Sequence, residues 1–473
     1  MTAPSGRVPL YYNGTRSMPF NMKSLSCFKA YDVRGLVPEE LNENVVYRIG
    51  RAYAAFVEPK KVAVGYDIRL SSYSLSQALI SGLTDSGVDV IDIGIGGSEL
   101  SYFATFHENI DGGIMVTASH NPPDYNGLKF VREESQPISS DTGLEEIRIL
   151  AEKNQFPITN RKGLVTKKDV KPDYIQHLLS YVSTPDLSPL KIVVNAGNGG
   201  AGPILDLLEP HLPFEFFKMH HEPDGAFPNG VPNPLLEKNR GETIRHVQKT
   251  GANLGLAWDG DYDRCFFFDE DGRFIDGYYI VGLLAQTFLR KSPGERIVHD
   301  PRLTWNTLDI VKKEGGQALQ SKSGHAFIKQ TMREKDAIYG GEMSAHHYFR
   351  DFSYADSGMI PWLLVTEIMS QQNVPLSALV SERMEFFPAS GEINRKVEDV
   401  ETTINRIKSL YIENALNIDH ADGVSIEFTD WRFNLRASNT EPVVRLNVES
   451  NGNMELMQQR TDELLRALGG KSV

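Results

Sequence analysis

The feature that most constrains this chain is an alternation of strand and helix patterns that starts over. "KVAVGYD" (61–67) is a short apolar run of strand type, "SLSQALISGLTDSG" (74–87) has helical spacing and ends at a glycine, and "VDVIDIG" (88–94) is a second strand. "GGIMVTAS" (112–119) follows as a third. Strand, helix and strand in that order predict right-handed βαβ units and a parallel sheet covered on both faces. The pattern restarts with the helix "DYIQHLLSYV" (173–182), the strand and glycine loop "LKIVVNAGNGGAG" (190–202), and the strand-loop-strand "GANLGLAWDGDYDRCFFFDEDG" (251–272). It restarts again with "YYIVGLLAQTFLRK" (278–291), "RIVHD" (296–300), the loop "SKSGHAF" (321–327) and "DAIYGGEMSAHHYF" (336–349).

Near the C-terminus the texture changes. "DGVSIEFTDWRFNLRASNTEPVVRLNVES" alternates apolar and polar residues, as an antiparallel sheet with one wet face does, and the helix "NMELMQQRTDELLRAL" (453–468) closes the chain. The expected fold class is therefore α/β, with three similar α/β domains of mixed, largely parallel sheets and a C-terminal α+β domain. The boundaries fall at 23–165, 166–273, 274–388 and 389–473, and residues 1–22, rich in Pro, Gly, Ser and Asn, read as a disordered extension. The similarity among the α/β units is one of pattern, without a letter-by-letter repeat.

A net charge of −13, from 49 basic against 62 acidic residues, argues against a nucleic-acid partner, which needs a basic face. A few convergent Arg and Lys can still hold a small anion. Two cysteines, Cys27 and Cys265, build no disulfide framework and point to a reducing compartment, the cytoplasm. No run reaches the ~18 apolar residues that span a membrane, and the first residues lack an apolar signal segment. The expected partners are small molecules, and the expected assembly is a monomer or small homo-oligomer.

Five loops carry chemistry. In "TASHNPPDYNGLK", Pro122 and Pro123 keep Ser119 from capping an immediate helix, and Asn126-Gly127 turns the chain back to Lys129. A hydroxyl, the His120 imidazole and an ammonium then share one loop at a strand's carboxyl end, where open α/β sheets place ligands. In "WDGDYDRC", Asp259, Asp261 and Asp263 alternate, so an extended loop turns three carboxylates toward one centre suited to Mg²⁺ or Ca²⁺. An EF-hand fits the spacing but not the residues: Arg264 stands where a glycine must turn, and the flanks are strands. A metal beside Arg264 makes a clamp for a transferring phosphoryl group.

"AGNGGAG" (196–202) after a strand fits a dinucleotide-binding loop, with Glu215 near the distance for a ribose contact. Its plainer reading is tight strand-to-helix packing. "RASNTEPVVRL" offers Arg436, Ser438, Asn439 and Thr440 as donors for a phosphate that is bound but not transferred, or else forms an ordinary turn. "GGEMSAHHYF" sets Glu342, Ser344 and His346 on alternate positions suited to a sugar diol, and "SKSGHAF" adds Lys322 and His325.

Together these motifs resemble the α-D-phosphohexomutase family, from about Phe28 to the C-terminus. "FKAYDVRG" resembles the family's opening motif, "TASHNP" its phosphoserine loop, "DGDYDR" its metal loop, "GEMSAHHYF" its sugar loop and "RASNTEP" its phosphate loop, in the family's order. The resemblance implies four domains around a central cleft, each giving one loop. It implies a phosphoryl group on Ser119 and Mg²⁺ held by Asp259, Asp261, Asp263 and a phosphate oxygen on Ser119. Glu342 and Ser344 would bind sugar hydroxyls, and Arg436, Ser438, Asn439 and Thr440 the non-reacting phosphate. Tyr31, Arg34, Lys129, Arg264, His325 and His346 would line the reacting region, with Lys129 and His325 candidates for proton transfer. Arg302, in "DPRLTW", replaces a lysine frequent in relatives and takes a positive-charge role.

The implied reaction is phosphomannomutase chemistry through a 1,6-bisphosphate that turns end for end, with hexose 1,6-bisphosphate as activator and a fourth domain that moves. A phosphoglucomutase or dual enzyme is the near alternative, and a nucleotide-dependent oxidoreductase built on the glycine loop the distant one. Two positions depart from the family pattern: Tyr262 and Ala345 stand where glycine is common.

Overall fold

The protein is seen in a computed structural model that describes residues 24–438 and 443–472. The expected extension at 1–22, and Asn439 and Thr440 of the phosphate loop, lie outside the described residues.

The first unit is a six-stranded sheet in the order Val33–Leu36, Tyr125–Arg132, Gly112–Val116, Lys61–Tyr66, Asp89–Ile95, Val165–Lys167. Lys61–Tyr66 runs parallel to both Asp89–Ile95 and Gly112–Val116, while Tyr125–Arg132 returns antiparallel beside Gly112–Val116. Val165–Lys167 pairs with Asp89–Ile95, so this sheet runs past residue 165. The second sheet is ordered Phe274–Ile275, Cys265–Phe268, Leu254–Trp258, Lys191–Asn195, Glu215–Met219, and the third Ala355–Asp356, His347–Phe349, Tyr339–Gly341, Arg296–His299, Gln317–Gln320.

One plan recurs in all three. Two strands lie parallel to a central neighbour, and the third parallel strand turns back through a hairpin. The hairpin loops are residues 117–124, 259–264 and 342–346, the expected serine, metal and sugar loops. Each contains one non-glycine residue with left-handed backbone: Ser119 (φ 49), Tyr262 (φ 49) and Ala345 (φ 70). The strand expected to run to Ser119 therefore ends at Val116, because a residue at positive φ cannot continue it.

The fourth unit is an antiparallel sheet ordered Asn417–Asp419, Val424–Glu427, Trp431–Ala437, Val443–Ser450, Ile393–Lys396, Lys471–Ser472. Helices Val400–Tyr411 and Met454–Leu468 pack on it, capped by Asp399 and Asn453, whose side chains accept from backbone amides of their first turns. One apolar core runs through the first three units, joining Phe103, Tyr174, Trp258, Phe349 and Trp362, whereas the fourth has its own core around Phe433, Val448 and Leu464. Among the described residues, no helix is long and apolar enough to cross a membrane.

Candidate active site

Ser119 is 3% exposed at the end of the central hairpin of the first sheet. Its Oγ lies 3.0 Å from Asp259 Oδ2 and 3.1 Å from His120 Nδ1. Arg264 donates through Nε to Asp259 (2.8 Å), and its other arm donates to His120 Nδ1. That bond assigns Nδ1 as acceptor and Nε2 as the protonated nitrogen. Burial, then Arg264 and Arg34, holds the His120 imidazole neutral, well below its ordinary range. Arg34 reaches the same loop by donating to Asn121 Oδ1 at 2.6 Å, and it pairs with Asp32 at 2.8 Å.

Asp259, Asp261 and Asp263 are all buried, and each brings a carboxylate oxygen within 4.8 Å of the others. Lys129, on the returning strand of the serine hairpin, places Nζ against two of them, 2.7 Å from Asp261 and 2.5 Å from Asp263. Burial works against the Asp261 charge, yet Lys129 outweighs it and holds that carboxyl well below the usual range. Lys129 in turn stays an ammonium: desolvation opposes the charge and the two carboxylates overcome it. At Asp259 burial prevails over Arg264, pushing the carboxyl up to about 6. Asp261 Oδ1 and Asp263 Oδ1 are buried without a hydrogen-bond partner. Three crowded hard-oxygen donors with two orphaned oxygens fit a divalent cation.

The sugar loop sits across from this centre. Glu342 Oε1 accepts from Gly324 N (2.9 Å) and Arg302 (3.2 Å), and Oε2 accepts from Tyr348 OH (2.6 Å). Burial opposes its charge, but His346 and Arg302 hold the carboxyl well below the ordinary range. His346 links the halves: Nε2 lies 3.8 Å from Asp263 and Nδ1 lies 3.4 Å from Glu342. Ser344 Oγ stands 3.3 Å from Arg302. Arg302 is paired with Asp300 at 2.9 Å and reaches Glu392 at 3.5 Å, and Glu392 accepts from Arg436 at 2.8 Å. A polar chain thus crosses from Ser119 through Asp259, Arg264 (4.0 Å from Asp263), Asp263, His346, Glu342, Arg302 and Glu392 to Arg436, touching all four units. Ser438 ends the described part of the fourth loop, 3.4 Å from Arg445.

His325 packs edge-on against Tyr31, ring centroids 5.8 Å apart, and burial, then Lys329 and Lys129, keeps it neutral. Lys322 is exposed, with Nζ 5.0 Å over the Phe327 ring. Sequence reasoning missed Asn121, Tyr348, Glu392, Arg445 and the pair Asp67 and Arg69. The last two follow the strand Lys61–Tyr66, so the strand-end rule that singled out Ser119 also covered them.

The glycine loop has a structural use. A Cβ on Gly199 would stand 2.9 Å from Gly260 O, one on Gly200 2.9 Å from the Tyr262 ring, and one on Gly202 2.0 Å from His221 O. Gly199 and Gly200 seat the metal loop, and Gly202, on the helix Ala201–Leu208, lets that helix pack close to the chain at His221. The close-packing reading expected strand against helix, and the metal loop is the additional neighbour.

The comparisons agree with this geometry. Models of the four phosphoglucomutase/phosphomannomutase domains match residues 26–157 (alpha/beta/alpha domain I), 172–272 (domain II), 276–387 (domain III) and 392–467 (C-terminal domain). A phosphomannomutase of Escherichia coli K12 is 57% identical over 454 residues, covering 94% of this chain and all of the relative. A protein of Xanthomonas campestris described as phosphohexose mutases is 56% identical over 447 residues, with 94% of this chain and 100% of the relative covered. A phosphoglucomutase/phosphomannomutase family protein of Burkholderia thailandensis superposes with a TM-score of 0.84 at 32% identity, covering 95% of this chain and 99% of that one. With the serine, metal and sugar loops on equivalent hairpins around one polar chain, the protein belongs to the phosphoglucomutase/phosphomannomutase family.

Proposed function

We propose that the protein is a phosphomannomutase that interconverts mannose 6-phosphate and mannose 1-phosphate, supplying GDP-mannose for polysaccharide synthesis in the cytoplasm. The observation that carries this reading is the buried Ser119 hydroxyl, 3.0 Å from Asp259 at one end of a polar chain that reaches Glu342 and Arg436. Identity of 57% to a phosphomannomutase over 94% of the chain supports the substrate.

On this reading Ser119 carries a phosphoryl group. The bond from phosphorus to Oγ breaks as a sugar hydroxyl oxygen bonds to phosphorus, and the hydroxyl proton leaves to a base. Oγ regains a proton when the 1,6-bisphosphate has formed, and the reverse step, after reorientation, rephosphorylates the serine. His325, held neutral, can accept a proton, while Lys129, held charged, can only donate one or offset charge. Arg264 bridges Asp259 and His120 and so fixes the side of the serine that faces the transfer. Mg²⁺ would be held by Asp259, Asp261, Asp263 and a phosphate oxygen on Ser119, and when bound it withdraws charge from the transferring group.

Glu342 and Ser344 take the sugar hydroxyls, with Tyr31, His120, Lys322 and His346 around them. Arg436, with Ser438, Asn439 and Thr440, holds the non-reacting phosphate, and Arg302 supplies positive charge on the substrate side. Glu392 now occupies Arg436, so phosphate binding exchanges one anion for another. The units take the bounds 23–165, 166–273, 274–388 and 389–473, except that Val165–Lys167 stays with the first sheet and Phe274–Ile275 with the second, in a monomer or small homo-oligomer. A dual activity on glucose remains the second reading. A carboxylate on the 3- and 4-hydroxyls meets the same groups in both sugars, and the Xanthomonas relative is described as phosphohexose mutases.

The test is conversion of mannose 1-phosphate and of glucose 1-phosphate with Mg²⁺ and a trace of hexose 1,6-bisphosphate, beside Ser119→Ala. Turnover abolished by the substitution is expected, with kcat/KM favouring mannose. Full activity in the variant would end the phosphoserine mechanism.

A further inference from the structure

The serine loop is poorly able to hold itself. Pro122 and Pro123 have no N–H to donate, and Ser119 sits in the left-handed region at φ 49. Within residues 118–125 the backbone makes two bonds of its own, Asn121 N to Ala118 O (2.9 Å) and Tyr125 N to Pro122 O (3.0 Å). The other carbonyls need donors from elsewhere.

Val37 N supplies Asp124 O, and one side chain supplies Ser119 O, Asn121 O and Tyr125 O and shares Pro122 O. Arg69, 2% exposed, gives NH2 to Ser119 O (2.8 Å) and Asn121 O (2.6 Å), and NH1 to Pro122 O (2.6 Å) and Tyr125 O (2.9 Å). Its own place is set from two sides. Asp67 accepts from Arg69 N at 3.0 Å and lies 3.4 Å from Nε, while Asp67 N donates to Val116 O at the end of the serine strand. The buried Phe227 ring of the second unit faces the guanidinium, 5.2 Å from its carbon, and Gly225 comes so near that a Cβ there would meet Ile68 O at 2.4 Å.

We propose that Arg69 is a positioning residue for phosphoryl transfer at Ser119. It acts through the loop backbone, holding the serine hydroxyl on Asp259, and its seat under Phe227 ties the loop to the unit that carries the metal loop. The inference rests on Ser119 being the phosphoryl carrier. Lysine cannot replace it: an ammonium is a point charge whose donors diverge, whereas four carbonyls here converge on a planar fork. The Glu342 and Ser344 contacts to the sugar hydroxyls and the distal phosphate contacts lie on the third and fourth units, so a loosened loop slows the chemical step and largely spares ground-state binding.

The test compares Arg69→Lys with wild type, full chain, on two readouts: steady-state kinetics, and amide hydrogen exchange of the segment 117–126. Arg69→Lys is expected to lower kcat by roughly thirtyfold or more with KM within about twofold, as misplacement of a reacting group does. Exchange in 117–126 should rise about tenfold or more while the fourth unit is unchanged. A folded variant with wild-type kcat, a raised KM at unchanged kcat, or unaltered exchange would overturn the proposal. If Arg69→Lys does not fold, Asp67→Asn is held to the same readouts and directions. If wild type turns over neither sugar, the mutase reading falls, and the exchange comparison alone then judges whether Arg69 clamps the loop.

Discussion

Tyr262 and Ala345, which stand where the family resemblance leads one to expect glycine, occupy left-handed backbone, at φ 49 and 70. The same departure has opposite consequences at the two sites. Left-handed geometry costs an ordinary residue roughly 1–2 kcal/mol, and a glycine adds about 0.5–1 kcal/mol of chain entropy to be lost. Ala345→Gly is therefore expected to leave stability level or raise it by up to ~1 kcal/mol. Tyr262 has in addition a fully buried ring against Gly97 and Gly200, and its hydroxyl accepts from Gly97 N at 3.1 Å. Tyr262→Gly gives up that packing, worth about 3–5 kcal/mol for a buried aromatic, and should destabilise by about 2–4 kcal/mol net. Denaturant melts of both variants check the signs; a gain from Tyr262→Gly would refute the packing account.

The residues legible in the sequence are those whose meaning is local. Asp259, Asp261 and Asp263 alternate within five positions, and Ser119 stands beside His120 and two prolines. Arg69 stands at a strand end, a place the sequence marks, but its role was not legible because the carbonyls it serves lie 50 or more positions away; Glu392 was not legible because Arg436 lies 44 away.

At the scale of elements, the serine, metal and sugar loops are one hairpin used three times. Strand periodicity alone marks the strands but does not distinguish the one that turns back, so sequence reasoning found the three units and not the shared place of their loops. The glycine loop was ambiguous for the same reason: its letters fit both a pyrophosphate and a neighbouring backbone. The neighbour is Gly260, between two of the metal-site carboxylates. Gly199→Ala, whose Cβ would stand 2.9 Å from Gly260 O, must displace the metal loop by a few tenths of an ångström. We expect kcat to fall roughly tenfold or more and half-saturation by Mg²⁺ to rise, with little loss of thermal stability. Unchanged Mg²⁺ dependence would mean that the loop absorbs the methyl elsewhere.

Across the whole molecule, Glu99 pins the three α/β units together. Its Oε2 accepts from Ser357 Oγ (2.6 Å) and Tyr174 OH (2.5 Å), and its Oε1 from Gly358 N (2.7 Å) and Met359 N (3.2 Å). Burial pushes this carboxyl up to about 8 against those four bonds. The folded chain then keeps a proton that the unfolded chain has lost, so Glu99 contributes less stability as pH rises from about 4.5 to about 8. Glu99→Gln lacks that slope. The difference in unfolding free energy should move toward the variant by up to ~1.4 kcal/mol per pH unit across the window. Urea titrations near both ends of the range would show it, and a constant difference would place the Glu99 proton elsewhere.

The fourth unit is joined differently. Its core is separate, and its links to the third include Glu449, which accepts from Thr304 N at 2.7 Å and from Tyr278 OH, Arg432, which donates to Arg302 O at 3.1 Å and Pro301 O at 2.9 Å, and Glu392 to Arg302. Swinging such a unit would exchange these charge pairs and hydrogen bonds for water. Opening should therefore grow easier as salt is added. An enzyme whose intermediate is to turn over inside the cleft would be served by a door whose latch responds to ions.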